Sequence, residues 1–337
     1  MFCKDIKKNL EQQKSMIPEL IITLALIVDF LIGDPRWLPH PVRGIGWLAK
    51  RSESIMRKLF GFSLRFAGIC AALFVISTCG VLSWVFISLL SSINPFAGIT
   101  AGVFIIYISI APRDLYNHST AVLKALKSGS IDNARNKVAM IVGRDVSKLS
   151  EPEIVRASVE TVAESLVDGV TAPIFYALLF GPVGAIIYRA INTLDSMFGH
   201  KNERYIYFGW ASARIDDLAN FIPARISAPF IVLAALIMHL DVWGCIRTLL
   251  RDGRKHHSPN SGLSEAAFAG ALSIQLGGLN HYNGIPDQKP LIGDLVRDLE
   301  TNDILKANLL MLLTTILFTA TGIFFHYLLL RTFVCHE

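Results

Sequence analysis

Charged side chains crowd four stretches of this 337-residue chain, and their chemistry poses the first question. The longest is "YRAINTLDSMFGHKNERYIYFGWASARIDDLANFIPAR", Tyr188 to Arg225, which mixes Asp195, Glu203, Asp216 and Asp217 with Arg189, Lys201, Arg204, Arg214 and Arg225. Ionisable groups beside apolar sequence are expensive unless paired, so the cluster reads either as a site or as ion pairs locking helices together. In "EIVRASVETVAESLVDG", Arg156, Glu160, Glu164 and Asp168 recur every fourth residue on one helical strip. Three acids one turn apart repel, so the strip is either a solvated edge or a surface for a divalent metal or a proton. "RDGRKHHSPNSG" gathers Arg254, Lys255, His256, His257, Ser258 and Asn260 ahead of a helix start, the donor set of an anion loop or of a plain basic turn. In "IGDPRWLPHPVRGIGWL", Pro35, Pro39 and Pro41 stiffen the exit from an apolar run around Arg36, His40 and Arg43. There the alternatives are an anion-facing surface and a basic membrane anchor with interfacial Trp37 and Trp47.

The elements that must position these groups are mostly apolar. Mean hydropathy is +0.47 and 52% of residues are hydrophobic, which places the chain among membrane proteins. Ala67 to Ser92 carries no charge over 26 residues, about 39 Å as a helix against a hydrocarbon core of roughly 30 Å. Asn308 to Leu330 is nearly as clear, and 17–33 and 95–111 sit at the short limit for a span. Ala172 to Tyr188, with Pro173, Gly181, Pro182 and Gly184, and the 15-residue Ile226 to Leu240 read as buried, interfacial or re-entrant helices as readily as spans. The fold class expected is therefore all-α: a single polytopic membrane domain over 17–337 behind a polar arm, 1–16, with polar regions at 34–66, 112–171, 189–225 and 241–307.

Seven Lys/Arg against two acids in 34–66 put that segment in the cytoplasm, although Lys4, Lys7, Lys8 and Lys14 of the arm favour the same side. Helix punctuation is clear in two places. Pro112 and Gly129 bracket one amphipathic helix, and Ser150 with Glu153 forms a capping box for the next, which sets Val155, Val159, Val162 and Leu166 on one face. No P-loop, HExxH or GxSxG occurs, and the five cysteines have neither CxxC spacing nor an even framework. The sequon at Asn117 is a chance-level match. A net charge of +5 with its basic loop beside a span suits anionic lipid rather than nucleic acid.

Five segments, "GDPRWLPHPVRGIGWL", "VGRDVSKLSEPEIVRASVETVAESLVDGVTAPIFYALLFG", the Tyr188 to Arg225 stretch, "DGRKHHSPNSG" and "LGGLNHYNGIPDQKPLIGD", resemble in order and spacing the adenosylcobinamide-phosphate synthase family of cobalamin biosynthesis. The similarity covers roughly 20–330; His257 and Leu279 depart from the prolines expected there. The resemblance implies a multi-pass inner-membrane enzyme that joins (R)-1-amino-2-propanol phosphate, or ethanolamine phosphate, to the free carboxylate of adenosylcobyric acid. It also implies ATP and Mg²⁺, with an acyl phosphate as the activated species.

Such a reaction needs cations for phosphates, carboxylates for a metal and a base for the amine. On that footing Glu160, Glu164 and Asp195 are the expected metal ligands and Asp216 or Asp217 the base. Arg36, His40, Arg43, Lys201, Arg204, Arg254, Lys255, Ser258 and Asn260 are the expected phosphate contacts. For the polar regions to share the cytoplasm, neither 172–188 nor 226–240 should cross completely, leaving three or four spans. Two rivals remain: a membrane prenyl- or phosphoalcohol transferase, hinted at by "NTLD" and "IDDLAN" without a repeated DxxD pair, and a small-molecule transporter.

Overall fold

The computed structural model describes residues 17–34, 41–200, 202–282 and 284–334. The chain divides into two compact units, 1–111 with 172–219 and 319–337, and 112–171 with 220–318.

The first unit is built on α1 (Ile17–Ile32), α2 (Pro41–Leu59), α3 (Leu64–Ile93), α4 (Pro95–Tyr107) and α8 (Ala172–Phe198). Asn94 divides the long apolar stretch in two, because its side chain accepts the Phe96 N–H at 2.8 Å while Pro95 opens the next helix. The α3 helix packs on α2, α4 and α8. Its contact with the 204–210 segment requires Gly68, where a Cβ would stand 1.9 Å from the Phe208 carbonyl oxygen. The opposite face of α3 leaves Leu73, Val81, Leu82, Trp84 and Leu89 more than half exposed, an apolar surface that belongs in lipid. Within α8 the path breaks at Gly181, φ 65, ahead of Pro182.

The second unit holds α5 (Pro112–Lys127), α6 (Ile131–Val138), α7 (Glu151–Leu166), α10 (Val242–Asp252) and α11 (Ser261–Leu272), with a hairpin of β1 (Leu276–Tyr282) and β2 (Ile285–Ile292). The capping box starts α7 as expected: Ser150 N–H and Oγ–H both donate to Glu153 Oε2 at 2.7 Å. Val155, Val159, Val162 and Leu166 are fully buried against α5, α6, α11 and β1. A π-helical turn, Val167–Thr171, follows α7. Helices α10 and α11 press together at Gly244 and Gly270, where a Cβ on Gly270 would meet the Gly244 carbonyl oxygen at 2.2 Å. The boundary between the units falls inside α9 (Trp210–Ile237) and α12 (Asn302–Val334).

The helical fold class holds, with one small two-stranded hairpin added, whose antiparallel register runs from Leu276 opposite Ile292 to Tyr282 opposite Ile285. Against the three or four spans expected, five segments among the described residues have the length and apolar composition to cross a membrane: Leu64–Ile93, Pro95–Lys127, Glu151–Phe198, Trp210–Ile237 and Asn302–Leu329. The two weak apolar stretches gain length because their polar neighbours, 189–198 and 210–225, continue the same helices. Conversely α1, at 16 residues, falls short of that length.

Candidate functional site

In the second unit the acidic strip of α7 is no solvated edge. Glu160 is buried, and Arg144, also buried, binds its Oε2. Its Oε1 accepts the Gly277 N–H at 2.8 Å, and Arg156 Nε lies 3.8 Å away. Local sequence explains that N–H. Gly277 and Gly278, at φ 83 and 87, form a bulge between the Leu276 and Gly278 pairings that turns the strand backbone toward α7. Asn280 Oδ1 accepts from Arg144 Nη1 at 2.5 Å and from Arg156 Nη2 at 3.3 Å, closing the network.

One turn on, half-buried Glu164 accepts a 3.4 Å hydrogen bond from Ser261 Oγ, the first residue of α11. Three further groups face it electrostatically: Glu265, His256 and Lys289. Glu265 is 2% exposed; burial first, then Glu164 and Glu160, push its pKa well above the carboxylate range, against Lys289 and Arg144. Burial works against the Lys289 charge, yet Glu164, Tyr282, Glu265 and Glu160 outweigh it and raise its pKa. For His256, burial lowers the pKa despite Glu164, with Lys289 and His257 adding to the fall. Its Nδ1 accepts the Ser258 N–H at 3.0 Å, so the neutral ring carries its proton on Nε2, 3.8 Å from Glu265 Oε1. Two carboxylates, a half-buried ammonium and a neutral imidazole thus share one polar cluster.

The 253–260 loop runs beside it. Ser258 Oγ accepts the Asn260 N–H at 3.3 Å, and Asn260 Oδ1 takes Arg225 Nη1 at 3.2 Å. Arg254 lies within electrostatic reach of Arg225. Lys255 is committed elsewhere: its Nζ is 2.7 Å from Asp252, a fully buried carboxylate whose pKa the Arg251 hydrogen bonds hold far below normal.

The other expected residues belong to the first unit. Asp195 is half-buried near the end of α8, Asp216 is buried, and Asp217 stands 3.6 Å from Arg214. Arg43 is exposed on the first turn of α2, and Arg204 pairs with Glu53 at 3.1 Å. Arg36, His40 and Lys201 lie outside the described residues. Of the expected metal ligands, then, Glu160 and Glu164 share a helix face in one unit and Asp195 belongs to the other.

Mg²⁺ fits this arrangement poorly. Both Glu160 oxygens are engaged, and among the described residues no group of three or more His, Cys, Asp or Glu could hold a metal ion. Sequence reasoning missed Arg144, Glu265 and Lys289 as site members and placed His256 only within the donor set of the anion loop. Glu265 sits in a small-residue helix and Lys289 on a strand that pattern reading did not find, so no local signal marked them.

Five helices of membrane-crossing length among the described residues define a polytopic helical membrane protein, whose second unit holds a buried ionic cluster. Residues 22–311 match the family described as CobD/Cbib protein, and the chain belongs to that family. Among its relatives, the "Cobalamin biosynthesis protein CobD" of Leptospira interrogans (strain Fiocruz L1-130) is 46% identical over 88% of this chain and 94% of its own length. The proteins of the same name from Geobacter metallireducens and Klebsiella pneumoniae are 46% and 44% identical over 83% and 86% of this chain, and 88% and 91% of their own. No solved structure matches significantly.

Proposed function

We propose that this protein acts in cobalamin biosynthesis as an amide-forming synthase of the inner membrane, its site facing the cytoplasm. The relatives' printed name supports the pathway, and the Glu164, Glu265, His256 and Lys289 cluster supports the chemistry. In this reading ATP converts the free carboxylate of adenosylcobyric acid to an acyl phosphate, releasing ADP. The amine of (R)-1-amino-2-propanol phosphate or ethanolamine phosphate then attacks the acyl carbon; the carbon–nitrogen bond forms, phosphate leaves, and one ammonium proton must be taken up. Glu164, which faces Lys289, receives that proton. Glu265, kept neutral by burial and its acidic neighbours, donates a hydrogen bond to developing negative charge. Lys289 offsets charge on the phosphate or carboxylate, and the 253–260 loop supplies Arg254, Ser258 and Asn260 to the phosphate-bearing substrate. No step is assigned to a metal.

The carrying observation is the cluster of Glu164, Glu265, His256 and Lys289, in which burial and the neighbouring Glu164 and Glu160 raise the Glu265 pKa. The experiment incubates purified protein with adenosylcobyrate, aminopropanol phosphate and ATP and reads the amide by mass spectrometry. Glu164→Gln should slow product formation by about 10²-fold or more, the usual worth of a positioned base. Undiminished turnover in Glu164→Gln together with loss in Asp216→Asn or Asp217→Asn would move the base to α9. No amide from the wild type, with saturable uptake into vesicles, would favour transport instead.

A further inference from the structure

The first unit contains a second charged site, around Arg204, to which the synthesis proposed above assigns no step. A cleft of about 680 Å³ between α2 and the 204–205 segment is lined by Lys50, Arg57, Lys58 and Arg204, with Glu53 and Tyr205 among the remaining walls. Glu53 is buried and serves both arginines, Arg57 Nε at 3.0 Å and Arg204 Nη2 at 3.1 Å, fixing their guanidinium groups at the cleft. Arg57 also lies over the Phe208 ring at 4.5 Å. Lys50 and Lys58 are exposed and have no ion-pair partner among the described residues. One carboxylate therefore faces four cations, and the cleft keeps a surplus of three positive charges.

Its surroundings are those of a membrane interface. The cleft adjoins the start of α3, the charge-poor helix with an apolar lipid-type face. Next to it Phe62 is 82% exposed, and Ile206, Tyr207 and Trp210 are also exposed. Arg65 lies over Tyr207 and Trp210 at 5.6 and 5.8 Å, the mix of aromatic rings and cations found at headgroup level. A soluble phosphate would need the cations alone. An anionic phospholipid would use the cations for its phosphate and the aromatic and aliphatic rim for its acyl chains. We infer that this cleft is a headgroup site for an anionic phospholipid of the bilayer, separate from the Glu164 cluster and independent of the reaction proposed for it.

The test uses delipidated full-length protein in neutral detergent, titrated with phosphatidylglycerol, with phosphatidylcholine, or with inorganic phosphate at matched ionic strength, following Tm. Phosphatidylglycerol alone should give a saturable rise. Each basic side chain at an anionic lipid surface is worth about fivefold in affinity, so Lys50→Gln/Lys58→Gln should weaken the response about thirty-fold. Lys50→Arg/Lys58→Arg, which keeps both charges, should retain it. An equal response to phosphatidylcholine, or undiminished phosphatidylglycerol binding in the glutamine variant, would overturn the inference. So would saturation by inorganic phosphate that displaces the lipid, which would make this a site for a soluble phosphate.

Discussion

Removing Arg144 tests whether the buried network is one cooperative unit. Its side chain and that of Glu160 are each 5% exposed, so Arg144→Ala leaves a carboxylate in a low-dielectric interior. Breaking a buried pair from one side costs about 3–5 kcal/mol. Two partners survive, the Gly277 N–H at 2.8 Å and Arg156 at 3.8 Å, which places the expected loss at the lower end, about 3 kcal/mol. The double variant Arg144→Met/Glu160→Gln removes both charges while its amide oxygen still accepts the Gly277 N–H. Its remaining cost is the weakened hydrogen bonding around Asn280, about 1 kcal/mol. Equilibrium unfolding in mixed micelles by dodecyl sulfate titration, followed by circular dichroism, measures both. The double variant should be about 2 kcal/mol more stable than the single one. If Arg144→Ala cost less than about 1 kcal/mol, or the double variant were the less stable of the two, the pair would not be the desolvated interaction its burial indicates.

Glu265→Gln should remove an alkaline weakness. The native carboxyl titrates above its ordinary 4.5, so its stability is complete below that value and declines as pH rises through the elevated folded pKa; the glutamine variant should melt at a higher temperature than wild type at alkaline pH. Asp252→Asn tests the opposite sign. The depressed native pKa gives stability that is present above 3.8 and lost as pH falls toward the folded value, so the variant should lose about 2 kcal/mol at neutral pH and show a flatter acid profile, read by melting from pH 3 to 8. Gly270→Ala should cost about 1–3 kcal/mol by forcing α10 from α11, whereas alanine at Gly143, with open space around it, should change the melting temperature little.

What could be read from the sequence divides by the range of the interaction. Ser150 and Glu153 start α7 because a capping box is complete within four residues. The buried valine face of α7 followed from spacing alone. Asn283-Gly284 carried a hairpin signal, overlooked amid a mainly helical pattern, and with it went the position of Lys289. Arg144 and Glu265 were not legible at all. Arg144 meets its partner 16 residues away across a connecting segment, and Glu265 lies on a neighbouring helix, so only tertiary packing brings them to α7. Glu160 shows how the chemistry shifts as a result: on the strip alone it resembles a ligand awaiting a cation, and in the fold guanidinium groups already supply the charge.

That occupied state separates the roles of two carboxylates one turn apart. Glu160, with Arg144, Arg156 and the Gly277 N–H around it, anchors the hairpin to α7, and its negative charge raises Glu265. Glu164 is half-buried and, among the described residues, takes a 3.4 Å hydroxyl contact from Ser261, which leaves it the more accessible of the two. Burying an acid such as Glu265 beside other carboxylates is costly to stability, and such an arrangement persists where the surrounding network over-determines it. The anchoring pair is therefore a positioning device for the exchanging one. Neutralising Glu160 as Glu160→Gln should lower the Glu265 pKa and move the alkaline limb of any pH–rate profile to lower pH; Glu164→Gln, which removes the larger of the two charges raising Glu265, should move that limb too and in addition reduce the rate across the whole range. Identical profiles for the two variants would show that the two carboxylates do not divide the work in this way.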